Sequence, residues 1–321
     1  FEEAIRPGGK GVEASLRAFA AGYDAAEKGD AAQVKPAEVK AAAGVSGPAR
    51  LMAEWQVLAT RAARLPGEAP AMALAGLRKV VEFQDLAYGE EYLARVESLA
   101  ARDHAPFDLT REGAKYIANA MAYDDPIRVA DLKTRAARFD RIRKEMGAKD
   151  RLMQLTEFMH PGAAEIVGMM PRRWGEWMEA SPKRMARLDR MVNKGRRIRT
   201  DSLRGFLMLY MLGGLKRRRR GSLRHAQEVA HLDRWLTAAT GHLERDYALA
   251  VEILRCRRLV KGYSDTHARG LSKFDKVMGA IALVAGREDA ADWARRMREA
   301  ALKDEKGVAL DGAIQTIKSF A

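Results

Sequence analysis

Apolar residues recur at three- and four-residue spacing in one segment after another. No stretch alternates apolar and polar residues with the period of two that a half-buried strand requires. Residues 71–101 carry the clearest pattern, with Leu74, Leu77, Val81, Leu86, Leu93 and Val96. Such a period lays one apolar stripe along one side of a helix, so each segment must bury its stripe against other helices. Ala, Arg and Leu are the commonest residues, and all of them favour helices, as do the Met and Glu that accompany them. The chain is therefore expected to be all-α, an irregular bundle of many helices.

Glycine, proline and capping residues punctuate the pattern. Val12 to Tyr23 reads as a first helix. Residues 24–49 are rich in Ala, Gly, Lys and Pro and lose the apolar period, which predicts a linker over 27–49 between a short segment, 1–26, and a helical domain, 50–321. A helix bearing Leu51, Trp55, Leu58 and Leu65 stops at Pro66-Gly67, and Gly89 is expected to dent or divide the next one. Thr110 is expected to cap a helix carrying Ile117 and Met121. Asp125-Pro126 reads as an N-cap followed by proline at the first helical position. Residues 152–159 and 163–178 read as helical, broken by prolines at 161, 171 and 182. Thr200 or Asp201 is expected to cap the apolar helix Leu203 to Leu212, Ser222 opens another, and Gly262 stops its successor. Ser272 with Asp275 predicts a capping box and a fresh helix, and 289–303 and 308–320 complete the chain. No fixed-period repeat is present.

Charge is uneven along the chain. Its net charge is +14, and between Lys183 and Arg220 fourteen Lys and Arg stand against two acidic residues, so +12 lies in one segment. A surface of that kind attracts phosphates, carboxylates, nucleic acid or an acidic protein. The cations form two clusters: Lys194, Arg196, Arg197 and Arg199, then Lys216, Arg217, Arg218, Arg219 and Arg220. Five successive cations cannot share one helix face, so some meet solvent or a partner. They serve either as cations placed after a helix C-terminus or as an anion site. Few aromatics interleave the tract, as stacking on single strands would require, which disfavours nucleic acid.

Other motifs narrow the chemistry. Cys256 is the sole cysteine, so the chain alone makes no internal disulfide, Cys-based zinc site or iron–sulfur cluster, and a reducing cytoplasm is the expected compartment. The longest near-continuous apolar run, Phe206 to Leu212, is far short of the roughly 20 residues that span a bilayer. Pro7 to Gly11 includes Gly-Lys, but Gly11 and Val12 follow where a phosphate-gripping loop needs Ser or Thr, so a turn into a helix is expected. The histidines at 104, 160, 225, 231, 242 and 267 include no i, i+4 pair enclosing an acid, and no metal site is assigned. Ser264, Asp265 and His267 name the members of a hydrolase triad. Triad members normally come from separate segments, because residues one and three apart cannot easily build both hydrogen bonds. No catalytic residue is assigned. Residues 261–270 are instead expected to form a polar joint after the Gly262 stop, with Ser264 or Asp265 as a cap. Lys261, Tyr263, Asp265, His267 and Arg269 are its candidates for an anionic ligand or a partner.

Four longer stretches carry a family resemblance: MAYDDPIRVADLKTRAARFDRIRKE (121–145), KGRRIRTDSLRGFLMLYMLGGLKRRRRGSLRHA (194–226), DYALAVEILRCRRLVKGYSDTHARGLSKFDKVM (246–278) and the closing ALDGAIQTIKSF. Together they resemble the C-terminal helical region of the indolepyruvate oxidoreductase beta-subunit family, a branch of the 2-oxoacid:ferredoxin oxidoreductases. The opening FEEAIRPGGKGVEASLRAFAAGYDAA resembles the tail of the gamma-type α/β domain that precedes that region. With Phe1 in place of an initiator Met, the chain reads as a piece of a longer protein. The resemblance implies a holoenzyme that oxidatively decarboxylates an aryl 2-oxo acid such as indolepyruvate to the acyl-CoA and passes electrons to ferredoxin. It also implies that thiamine diphosphate and the iron–sulfur clusters belong mainly to a large partner subunit, consistent with one cysteine and no Gly-Asp-Gly diphosphate signature here. The helical region has no assigned role in that family. The expectation is an accessory region without its own active site or cofactor; the alternatives are a basic nucleic-acid-binding module and a pure subunit-assembly domain.

Overall fold

Helices with the anticipated period make up most of the computed structural model, which describes residues 1–5, 12–27, 45–147, 153–262, 264–304 and 306–320. The chain divides into two units, Phe1–Met52 and Ala53–Ala321. The first holds α1 (Glu2–Ile5) and α2 (Val12–Glu27), with the rings of Phe1 and Phe19 stacked 5.9 Å apart. The expected Pro7–Gly11 turn and most of the expected linker, 28–44, lie outside the described residues.

α3 (Ala49–Ala63) crosses the division, and the second unit is then built around α4 (Ala69–Phe83), α5 (Leu86–Ala100) and α6 (Asp108–Met121), which pack on one another. Leu77, Val80, Tyr92, Leu93, Val96 and Ile117 are wholly buried between them. The pattern over 71–101 is divided, but at Gln84-Asp85, where the Asp85 side chain accepts from Tyr88 N at 2.8 Å. Gly89 instead lies inside α5 and lets α4 approach closely, since a Cβ there would sit 2.5 Å from Val81 Cγ2. Thr110 is not a cap either. It is buried in the first turn of α6, and its N and Oγ1 both donate to Asp103 Oδ2, at 2.7 and 2.6 Å.

Asp125 caps α7 (Pro126–Thr134) as expected, accepting from Arg128 N at 2.6 Å, and α8 (Ala136–Glu145) follows. The helical reading of 152–159 is corrected: β1 (Thr156–Met159) is a strand. α9 (Ala163–Gly168), α10 (Arg172–Glu179) and α11 (Pro182–Val192) come next, each at or just after one of the three prolines. The basic stretch that follows is β2 (Arg196–Arg199), antiparallel to β1 with Glu157 opposite Ile198. Each strand points a single residue fully inward, too few for a period of two to register in the sequence. Ile198 packs with Ala130 and Leu209, while buried Glu157 pairs with Lys133 and Arg138.

α12 (Leu203–Gly214) lies on α7 and is capped by Ser202, which accepts from Gly205 N at 3.3 Å. The anticipated caps are spent on the ribbon: Thr200 N donates to Leu155 O at 2.9 Å, and Asp201 pairs with Arg199. A 3₁₀ turn over Leu215–Gly221 leads into α13 (Leu223–His242), capped by Ser222 as expected, and α14 (Tyr247–Cys256) follows. α14 is the buried centre of the unit, touching α6, α13 and α16, and its Ile253 O accepts from Trp235 Nε1 at 2.8 Å. A second 3₁₀ turn, Arg257–Leu259, is followed by Gly262, whose φ of 75° is the left-handed conformation anticipated for the stop. α15 (Ser264–Val284) then runs unbroken through Ser272, so the expected capping box does not form. α16 (Ala290–Lys303) and α17 (Val308–Lys318) close the chain. Among the described residues no helix is long and apolar enough to cross a membrane.

Candidate functional site

The basic tract does not converge. Arg219, a candidate for ligand contact, is 1% exposed and serves the core instead. Its Nε and Nη2 donate to Asp125 at 2.8 and 3.2 Å, its Nη1 donates to Phe83 O at 2.8 Å, and its guanidinium lies 4.1 Å over the Phe83 ring. One planar cation thereby ties the end of α4, the cap of α7 and the turn before α13. Lys216 Nζ donates to Glu82 O at 2.9 Å, and Arg220 pairs with Glu91. Lys194, Arg196, Arg197 and Arg199 are exposed along the ribbon and its approach, with Arg197 over the Phe158 ring and Arg199 paired to Asp201. Arg217 and Arg218 are exposed beyond the end of α12.

The helix that separates the two clusters turns an apolar stripe outward. Leu203, Leu207, Tyr210 and Met211 share one face by their spacing and are 74%, 43%, 61% and 67% exposed. The opposite side of α12 carries Leu209, the helix's buried residue, in the cluster with Ala130 and Ile198. Exposed Arg204, Arg217 and Arg218 flank the stripe in sequence.

The stretch 261–270 is a joint between two clefts. Tyr263 and the side chains of Ser264 and Asp265 lie outside the described residues. Gly270 fits α15 against the preceding turn, since a Cβ there would lie 2.5 Å from Leu259 O. Arg269 is exposed and donates to Thr266 Oγ1 at 3.5 Å. Arg224 Nη2 donates to His267 Nε2 at 3.0 Å and pairs with Glu228 Oε1 at 2.7 Å, while Arg257 Nη2 approaches Glu228 Oε2 at 3.5 Å. Burial, and then the charges of Arg224 and Arg257, pushes the His267 imidazole down to about 4, so it is neutral near pH 7 and acts as an acceptor.

His267 and Asp124 line both clefts. One, of about 530 Å³, runs past α9 and the start of α13 and is acidic, with Asp124, Asp125, Glu165, Glu179 and Asp189 against Arg224. The other, of about 620 Å³, is basic: Lys79, Lys115, Arg128, Arg257, Arg258 and Lys261 stand against Asp124 alone. Partial loss of solvent at the cleft wall, and then the nearby Arg128, lower the Lys79 amine against the pull of Asp124, although the side chain remains exposed. Of these cations sequence reasoning singled out only Lys261. Arg257-Arg258 directly follows an apolar helix and was a visible signal, whereas Lys79, Lys115 and Arg128 are lone cations on three different helices. Among the described residues no group of His, Cys, Asp and Glu is arranged to hold a metal ion.

A family model described as a family of unknown function (DUF6537) matches residues 69–280, from the start of α4 to near the end of α15, and so includes all six cations of the basic cleft. No curated protein and no solved structure matches the chain.

Proposed function

The chain belongs to the DUF6537 family, whose function is unknown, and for this member we propose an accessory, partner-binding role in an indolepyruvate-type 2-oxoacid:ferredoxin oxidoreductase of the cytoplasm. The helical unit contributes no active site. Decarboxylation to the acyl-CoA takes place on a large subunit that carries thiamine diphosphate and iron–sulfur clusters. The long stretches at 121–145, 194–226 and 246–278 support the oxidoreductase assignment by their resemblance. The observation that carries the partner-binding role is the outward stripe of α12. Contiguous exposed apolar side chains, aromatic and methionine among them, mark protein–protein surfaces. The flanking arginines favour a partner surface that is apolar at its centre and acidic at its rim.

The test is recovery of the tagged chain from its native cells. A large thiamine-diphosphate subunit is expected to co-purify, and Leu207→Glu with Met211→Glu is expected to release it without shifting the melting temperature, since both residues face solvent. The purified chain alone is expected to be colourless and to turn over no indolepyruvate with CoA and an electron acceptor. Recovery of RNA in place of the subunit would instead favour a nucleic-acid module. Turnover by the isolated chain, or undiminished recovery with the double variant, would refute the accessory role.

A further inference from the structure

We propose that the basic cleft between α4, α6, α7 and the Arg257–Leu259 turn binds a small molecule carrying a diphosphate or two adjoining phosphate groups. The inference rests on the cleft alone and not on the oxidoreductase reading.

Six cations from separate parts of the fold converge on this cleft against one carboxylate, Asp124. Lys79, Lys115, Arg258 and Lys261 are exposed, and among the described residues none has a carboxylate within ion-pair distance. Arg128 meets Glu82 and Asp131 only at 3.5 Å. Like charges gathered in a concavity repel one another in the empty protein, and an anion entering the cleft removes that cost.

Arg257 adds a second, independent indication. It is 4% exposed, and its Nε and Nη1 find no hydrogen-bond partner. Its carboxylate neighbour, Glu228 at 3.5 Å, is already engaged by Arg224 at 2.7 Å. Burying a guanidinium with two idle donors is costly unless compensating charge lies close by. Arg257 therefore supplies field from beneath the cleft wall, and the accessible cations make the contacts.

The class of ligand follows from charge and size. Arg128 and Arg257 have carboxylates of their own, which leaves Lys79, Lys115, Arg258 and Lys261 against Asp124. A single phosphate, with a charge of roughly −2, does not neutralise that excess, whereas two adjoining phosphates do. The cleft's 620 Å³ lies within the usual range for small-molecule sites, about 300–1,000 Å³. Asn119, whose Oδ1 accepts from Lys79 Nζ at 2.6 Å, adds an amide for orientation. Tyr116 lines the cleft but is 5% exposed, a poor platform for stacking the successive bases of a nucleic acid.

Calorimetric titration of the whole chain with inorganic pyrophosphate and, separately, with ADP at low salt tests the site. Saturable binding of at least one is expected, weakened tenfold or more by Lys261→Ala with Arg258→Ala and unchanged by Arg245→Ala, an exposed cation outside the cleft. Both cleft residues are exposed, so an unaltered circular dichroism spectrum is expected for the pair. Tighter binding of ADP assigns a nucleotide, and binding of pyrophosphate alone assigns a diphosphate of another kind; both uphold the site. Failure of both ligands to bind overturns it, as does binding indifferent to the double variant. A single-stranded RNA that binds more tightly than either ligand and depends on the same two residues also overturns it.

Discussion

Arg219 and its neighbours Arg217 and Arg218 are identical in type and adjacent in sequence, yet the fold gives them opposite roles. Removing the Arg219 side chain leaves the Asp125 carboxylate, 5% exposed as a residue, without its counter-charge and leaves Phe83 O without a donor. Breaking a buried pair from one side typically costs about 3–5 kcal/mol. Arg219→Ala is therefore expected to lower unfolding stability by that order, while Arg217→Ser and Arg218→Ser stay within about 0.5 kcal/mol. Denaturant midpoints of the three variants check this, and equal effects would mean that Arg219 does not tie these elements together. Asp125 is legible as a cap from the proline beside it, whereas its partner 94 residues away is not.

Among the elements, α15 shows most clearly how local signals mislead. Ser272 and Asp275 have capping-box spacing, but the apolar period passes through them, and packing on the Arg257–Leu259 turn keeps the helix continuous. Gly270 makes that packing close, since an added Cβ meets Leu259 O, backbone that cannot rotate away. Overpacking a tight contact costs typically 1–3 kcal/mol. Gly270→Ala is expected to destabilise the chain by about that much, although alanine is the better helix former by about 1 kcal/mol. A thermal unfolding curve shifted upward by the substitution would show that α15 does not press on the turn. The β1–β2 ribbon is the other element that the sequence concealed, because its inward residues are only Glu157 and Ile198.

For the whole molecule, two half-buried imidazoles set a direction for acid sensitivity. Burial, followed by nearby arginines, pushes both His267 and His231 down to about 4 from an ordinary 6.5. Folded-state values below the unfolded ones mean that the unfolded chain takes up protons first as pH falls. Their contribution is therefore complete above about pH 6.5, declines towards pH 4 and then levels off. Glu157, raised by burial but lowered further by Lys133 and Arg138, adds a loss of stability as pH drops through the carboxylate range. Urea midpoints measured from pH 8 to pH 4 are expected to fall, with a shallower slope for His267→Gln. A flat profile down to pH 4 would contradict the neutral state of these half-buried rings.

The sequence by itself determined the all-α class, the caps at Asp125 and Ser222 and the left-handed stop at Gly262. Each rests on interactions between residues a few positions apart, where spacing and side-chain type suffice. Tertiary structure alone decided which cations are structural and which are available. A lysine or arginine on a helix has the same local signature whether it meets a distant carboxylate, solvent or a cleft. Arg219 was therefore drawn into the core from the most basic run in the chain. Lys79, Lys115 and Arg128, unremarkable one by one, were brought together with Arg257, Arg258 and Lys261 because their helices pack around one concavity.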